Sequence, residues 1–429
     1  MAPRRVLPDL APLRQSRDFR LLWTGLLVSE SGSQITTVAI FLQVYALTQS
    51  SAAVGLVGVA QVVPIALAAI VGGPHIDARD RRRILLAALG AQIVGSAVLF
   101  AAAASGSPPL VLVYAAAAVG AGGSGLGLAT RASITPTLFP ADQLPKALVL
   151  NQAAWNTCLI VGPALGGVIV ARFGFAWAYG VDVASFSVAI MAALLMAPKR
   201  PDGPAPEGSG WRRFTEGIAY LRGRPVLWTV FVVDLVAMIF GMPRAVFPEL
   251  AATQFGVAGR DAAQLVGLLF SALAVGALLG ALTAGWVGRV RRQGRAVLIA
   301  VAIWGGAIAC VPLTRSWVVL AVLLLAVAGG ADVISAVFRG TILQTNIPDT
   351  LRGRMSAVNT MVVIGGPRLG DAEAGLVAAF TSPGVAVATG GIACVVGVGV
   401  LALAVPAFAR YVAPPVVDSD PVDGGPPDA

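Results

Sequence analysis

Two acids sit where acids are rarely tolerated. Glu30 lies in the first long apolar run, and Asp234 holds the equivalent place in a run 204 residues later. Glu30 is about eleven residues into its run, which at 1.5 Å of rise per residue is about 16 Å, near the middle of a ~30 Å hydrocarbon layer. An ionisable side chain at that depth is retained where it pairs, faces a water-filled cavity or serves function. A carboxylate placed there can bind a cationic group or take up and release a proton. The alternative for each acid is a structural pair with a base on an adjacent helix. Arg131 and Arg339 are such bases, near the inner ends of the fourth and tenth apolar runs.

Other charged residues fall inside apolar runs. Arg368, Asp371 and Glu373 crowd six positions of the eleventh run. Arg368 and Asp371 are three apart and meet on one helix face; that spacing favours local neutralisation over a gate or a substrate contact. Asp332 is mid-span in the tenth run, and Asp182 falls early in the sixth, at its outer boundary. His75, the single histidine, reads as an ordinary loop residue. Cys158, Cys310 and Cys394 read as small buried hydrophobes, and none has a second Cys or His at metal spacing. No metal and no cofactor are expected. Gly120, Gly122 and Gly125 spell GxGxxG, but mid-helix with no preceding strand, and there is no GxxxxGK[ST]. With no nucleophile–base set visible, enzyme chemistry is not expected.

The elements that must carry these residues are membrane helices. The chain has 429 residues, 57% hydrophobic and 12% charged, with mean hydropathy +0.82, against about 25% charged residues in a soluble domain. Twelve spans are expected, at about 19–47, 54–76, 84–104, 110–132, 148–171, 176–196, 226–250, 265–287, 297–313, 318–342, 355–380 and 385–408. The first begins after a basic leader and lacks a small-x-small cleavage pattern, so it reads as an uncleaved helix. The chain divides into a basic leader (1–18), a six-helix half (19–197), a linker (198–225), a second six-helix half (226–411) and a disordered tail (412–429). Within the linker, Trp211, Phe214, Ile218 and Leu221 at helical spacing predict an amphipathic helix, lying on the inner membrane face or packed under the bundle.

Thirty Lys and Arg against 21 acids could suggest nucleic acid. Their placement does not. They collect in alternate loops, which puts both termini in the cytoplasm and accounts for the basic excess by topology. The halves also repeat. Arg131, Ile134, Pro140 and Asn151 recur as Arg339, Ile342, Pro348 and Asn359, each 208 residues on, and Gly162-Pro163 recurs as Gly366-Pro367. Such an order of matches indicates a parallel duplication.

The densest charge cluster of the first half is GGPHIDARDRRR, residues 72–83. An apolar run that stops at paired glycines, then an acid, then arginines reads as a tight cytoplasmic turn, with the glycines allowing close helix packing. The stretch resembles the signature loop between the second and third helices of the major facilitator superfamily. Gly73, Asp77, Asp80, Arg81, Arg82 and Arg83 match; His75 and Ala78 depart, and Arg79 can supply the charge missing at Ala78. Gly162, Pro163, Gly166 and Gly167 resemble the fifth-helix motif that the superfamily associates with drug and proton antiport, with Cys158 in place of its leading glycine. Pro163 removes an amide donor and the glycines permit a close helix seam. Nearly the whole chain is similar to the drug and siderophore exporter branch, which includes macrolide efflux and enterobactin exporter proteins.

That resemblance implies an all-α polytopic fold of twelve helices in two pseudo-symmetric halves, with helices one, four, seven and ten lining a central cavity. The repeat then suggests two acid–base sets, Glu30 with Arg131 and Asp234 with Arg339. It further implies a monomeric antiporter that exports a small amphipathic molecule, by alternating access, in exchange for protons. The partners are that substrate, protons and the lipid bilayer. Few lysines against many arginines and alanines fit a bacterial inner membrane. The rival readings are an importer or symporter of the same fold and a non-transporting sensor or assembly factor.

Overall fold

Ser16, Ser50, Asp80 and Ser382 each accept a bond from a backbone N–H in the first turn of the helix that follows. Such caps fix where a helix begins. The computed structural model describes residues 9–200, 210–348 and 351–413. Residues 1–8, 201–209 of the linker, 349–350 and the tail beyond Ala413 lie outside them. The described residues form helices α1 (Ala11–Gln15), α2 (Arg17–Thr48), α3 (Ser51–Ala78), α4 (Arg81–Ala104), α5 (Leu110–Ile134), α6 (Leu144–Phe173), α7 (Phe175–Leu195) and α8 (Gly210–Leu221). They continue as α9 (Pro225–Phe240), α10 (Phe247–Thr253), α11 (Gly259–Thr283), α12 (Gln293–Cys310), α13 (Val318–Asn346), α14 (Arg352–Phe380), α15 (Pro383–Ala404) and α16 (Pro406–Ala409). Gly174, at φ +86°, makes the abrupt turn between α6 and α7.

Val111, Leu313, Trp317, Val319 and Leu403 are among many large apolar side chains on the outside. A helix apolar on every side belongs in lipid. Among the described residues, eleven spans are long and apolar enough to cross a membrane. Twelve were expected. The missing one is α14: its 29 residues suffice in length, but Arg368, Asp371 and Glu373 make it too polar to qualify. The seventh span, expected as one helix over 226–250, is broken into α9 and α10. Gly241, Pro243 and Pro248 sit at the break, and proline both lacks a donor and clashes with the preceding turn. Cys310 is exposed rather than buried, unlike Cys158 and Cys394.

The packing repeats as the sequence does. In the first half α2 lies on α6, α3 on α5, and α4 on α5 and α7; in the second α9 lies on α14, α11 on α13, and α12 on α13 and α15. The halves meet along two seams, α3 with α14 and α6 with α11. Both seams close at the end away from the termini, where backbones approach so nearly that no side chain fits. A methyl at Gly55 would meet the Asp371 carbonyl at 2.6 Å, and one at Gly267 the Pro163 carbonyl at 2.6 Å. Ser271 Oγ donates to the Ile160 carbonyl across one seam at 2.8 Å, and Ser51 Oγ donates to Glu249 of α10 across the other. At the opposite end, Ile218 and Leu221 of α8 pack on Leu227, Phe231, Met355 and Val358. The amphipathic helix is thus tucked under the second half; the side chains of Trp211 and Phe214 lie outside the described residues.

Candidate functional site

A cavity of about 360 Å³ lies between the halves, lined by Glu30, Gln92, Asp182, Arg244, Arg368 and Asp371 among others. A second, of about 310 Å³, lies within the second half around Asp234, Arg339, Asn359 and Met355. Val363 borders both.

Glu30 and Arg131 meet where α2 crosses α5. Arg131 Nη1 donates to Glu30 Oε1 at 3.0 Å and Nη2 to Ser29 Oγ at 3.3 Å. Asp234 and Arg339 meet at the matching crossing of α9 and α13, with Nη1 donating to Oδ1 at 2.5 Å. All four residues are buried. Asp332 stands one helical stretch before Arg339, and its Oδ1 is 3.7 Å from Nη2. Arg339 therefore faces two carboxylates, whereas Arg131 faces one.

The charged residues of α14 do not neutralise each other as their spacing suggested. Asp371, 1% exposed, is held by Arg244, whose Nη2 and Nε donate to its Oδ2 and Oδ1 at 2.6 and 3.3 Å. Arg244 lies in the break between α9 and α10, which turns it toward the cavity. Arg368 instead spends Nη1 on the Ile364 carbonyl at 2.9 Å, and its buried Nε has no partner. Glu373 is half-buried and joins no hydrogen bond or ion pair among the described residues.

Asp182 is likewise not at a boundary. It is 1% exposed on the cavity wall. Its Oδ2 accepts from Thr36 Oγ1 at 2.8 Å and Ser96 Oγ at 2.7 Å, so the contacts come from α2 and α4. The signal for it was available: Asp182 is seven positions into α7, which begins at Phe175, and so is about 10 Å deep. For Arg244 the sequence marked only the break, through Pro243 and Pro248, and not its direction.

The signature loop is a clasp on the end of α7. Asp80 Oδ1 accepts from the backbone N–H of Lys199 at 2.9 Å as well as from that of Arg82 at 3.0 Å. Arg82 Nε donates to the Ala193 carbonyl at 2.9 Å and Nη2 to that of Leu194, while Arg81 Nη1 donates to the Ser133 carbonyl at 3.2 Å. Arg79 and Arg83 are exposed, and the side chain of Asp77 lies outside the described residues. Gly73 is not a packing contact, since a methyl there would meet nothing within 4 Å. The fifth-span motif packs on two neighbours. Gly162 and Gly166 lie against Ser31 and Ile35 of α2, and Gly167 against Ala263 and Gly267 of α11.

Known proteins share both sequence and fold. The sequence profile of the transmembrane secretion effector family matches residues 8–416. The enterobactin exporter EntS of Salmonella typhi is 26% identical over 415 residues, covering 96% of this chain and 98% of that protein. That of Citrobacter koseri is 26% identical over 420 residues, covering 98% of each. Among solved structures, a POT family transporter in complex with 5-aminolevulinic acid superimposes with a TM-score of 0.72 at 12% identity, over 92% of this chain and 97% of that one. A bacterial homologue of the lysosomal transporter Spinster gives 0.66 at 18% identity, over 92% and 96%. A D-xylose–proton symporter gives 0.65 at 15%, over 90% and 96%. These three likenesses are of fold alone. The full-length match, the two repeated halves and the charged cavity between them lead to one assignment: the chain belongs to the transmembrane secretion effector family of the major facilitator superfamily, and it is a multi-pass membrane transporter rather than an enzyme.

Proposed function

We propose that the protein exports a small amphipathic molecule of the siderophore type from a bacterial cytoplasm, as a monomer in the inner membrane with both termini inside. The carrying observation is the similarity to enterobactin exporters along 96% of the chain. The charged cavity between two halves gives that similarity a physical seat. Its polar groups can hold the hydrogen-bonding head of a substrate, and Phe41, Ile40 and Leu128 offer apolar wall. Transport follows alternating access. In the state described here the seams shut the end away from the termini, and the second cavity forms part of the approach from the terminus-bearing end. Rocking of the halves about the cavity opens the seams and presents the substrate outside. Buried carboxylates supply the means to exchange protons for substrate.

Inside-out vesicles with an acidic lumen test this. Enterobactin, with a macrolide in parallel, should accumulate only while the gradient lasts. Absence of gradient-driven uptake of both compounds would count against the proposal. Accumulation in right-side-out vesicles instead would make the protein an importer.

A further inference from the structure

We propose that Asp182 is the proton-binding site of the carrier, an assignment that rests on the proton-coupled reading above. The argument is a count of hydrogens. A hydroxyl has one to donate. Thr36 and Ser96 both give theirs to Asp182 Oδ2, at 2.8 and 2.7 Å. Ser185 Oγ lies 3.3 Å from Oδ1, but its hydrogen has a nearer acceptor, the carbonyl of Asp182 itself at 2.7 Å. Oδ1 therefore faces a lone pair of Ser185 rather than a donor. A proton on Oδ1, donated to Ser185 Oγ, satisfies every polar atom of the group. With the Ser185 hydroxyl turned to the Asp182 carbonyl, an ionised carboxylate would set two lone pairs against each other.

Nothing nearby offers the charge that an ionised Asp182 would require. No Lys or Arg lies within ion-pair distance of it among the described residues. Of the helices packed on α7, α4 carries no charged side chain between Ile84 and Ala104, and α6 none between Leu148 and Ala171. The thiol of Cys158, on α6, donates to the Leu27 carbonyl. α2 contributes Glu30, already held by Arg131, and the phenol of Tyr45 further along. On α7 itself, Tyr179 gives its hydroxyl hydrogen to Gln43 at 2.7 Å. Across the cavity stand Arg244, Arg368 and Asp371. Gly32 completes the niche, since a methyl there would run into Ser185 and Asp182. Glu30 has a cation and Asp182 has only hydroxyls, so the neutral acid is the form this niche fits. On release, the O–H bond at Oδ1 breaks and the proton passes to cavity water. The Ser185 hydroxyl then turns from the backbone carbonyl to the vacated oxygen. Because the partners sit on α2, α4 and α7, loss of the proton changes the tie among three helices of one half.

Infrared difference spectra of the full-length protein in lipid, recorded across a pH titration, read this directly. A protonated-carboxyl band that titrates should be present in the wild type, absent in Asp182→Asn and retained in Glu30→Gln. The asparagine keeps the geometry, its amide N–H donating to Ser185 where the acid proton stood. A titrating band that persists in Asp182→Asn, or that vanishes in Glu30→Gln alone, overturns the assignment. Should Asp182→Asn fail to fold, Ser185→Ala serves, because removing the acceptor must shift the band; an unshifted band overturns the proposal. In inside-out vesicles Asp182→Asn should lose gradient-driven enterobactin uptake at least tenfold while still equilibrating the compound downhill. Gradient-driven uptake that survives in this variant overturns the assignment alone. Gradient-independent uptake by the wild type removes proton coupling itself, and the assignment with it.

Discussion

The two acid–base sets occupy matching crossings in the two halves but are not equivalent. In the first half Arg131 meets one carboxylate, Glu30, and the pair is neutral. In the second Arg339 meets Asp234 at 2.5 Å and Asp332 at 3.7 Å, so two carboxylates share one guanidinium. Among the described residues the first half has no second carboxylate at this crossing; its further buried acid is Asp182 on α7. Duplication has kept the cation and its main partner in register while the further carboxylate has gone to different helices. The shared pair is what the architecture demands at these crossings; the unshared acid is where the halves can differ in task.

The largest expected effect separates the sets by what is left behind. Arg131→Leu strands one buried carboxylate and should destabilise by about 3–5 kcal/mol. Arg339→Leu strands two acids and should unfold at lower denaturant in the same detergent. Equal losses would show that Asp332 takes no share of Arg339. Exchange of partners sharpens this. Glu30→Arg combined with Arg131→Glu should recover most of the lost stability, since one acid again meets one base. Asp234→Arg combined with Arg339→Asp should not, because the new acid at position 339 faces Asp332. Recovery in both halves would make them equivalent after all.

Smaller effects test the symmetry of the seams. Gly55→Val on α3 and Gly167→Val on α6 each force a side chain into the opposing backbone, which overpacks the contact by about 1–3 kcal/mol. Both should slow transport to a similar degree and widen the far end in spin-label distance measurements. An effect in one variant only would identify a single working gate. Smallest are Ser51→Ala and Ser271→Ala, each removing one bond across a seam, at about 1 kcal/mol apiece. Ser51→Ala should cost more, because its partner Glu249 is charged. Thermal melting of the two variants side by side decides the order.

Most of the fold was legible because it is written in long apolar runs, and apolar length survives any detail of packing. The two acid–base sets were legible through the repeat: a charge that recurs at a fixed interval inside two spans has few roles. The remainder depended on direction. Asp371 was paired with Arg368 on spacing alone, yet a break at Gly241–Pro243 brings Arg244 round to take it, and proline spacing does not say which way a side chain will turn. Asp182 was placed at a boundary because its span was started one residue late and its depth judged from the end. Its partners Thr36, Ser96 and Ser185 are ordinary helix residues, and nothing in their spacing marks them until three helices are brought together.

The polarity of α14 has a consequence for synthesis. Each of Arg368 and Asp371 opposes entry into the bilayer by about 2.5–3.5 kcal/mol near the helix centre, and the surrounding residues include four glycines and a proline from Gly365 to Gly375 that add little to counter it. The helix cannot be expected to leave the translocon on its own hydrophobicity. Arg244 has by then already emerged, on a segment that ends more than a hundred residues earlier in the chain. The growing protein must hold that arginine within reach until Asp371 arrives, so the same contact that shapes the cavity also offsets the cost of lodging α14 in the bilayer.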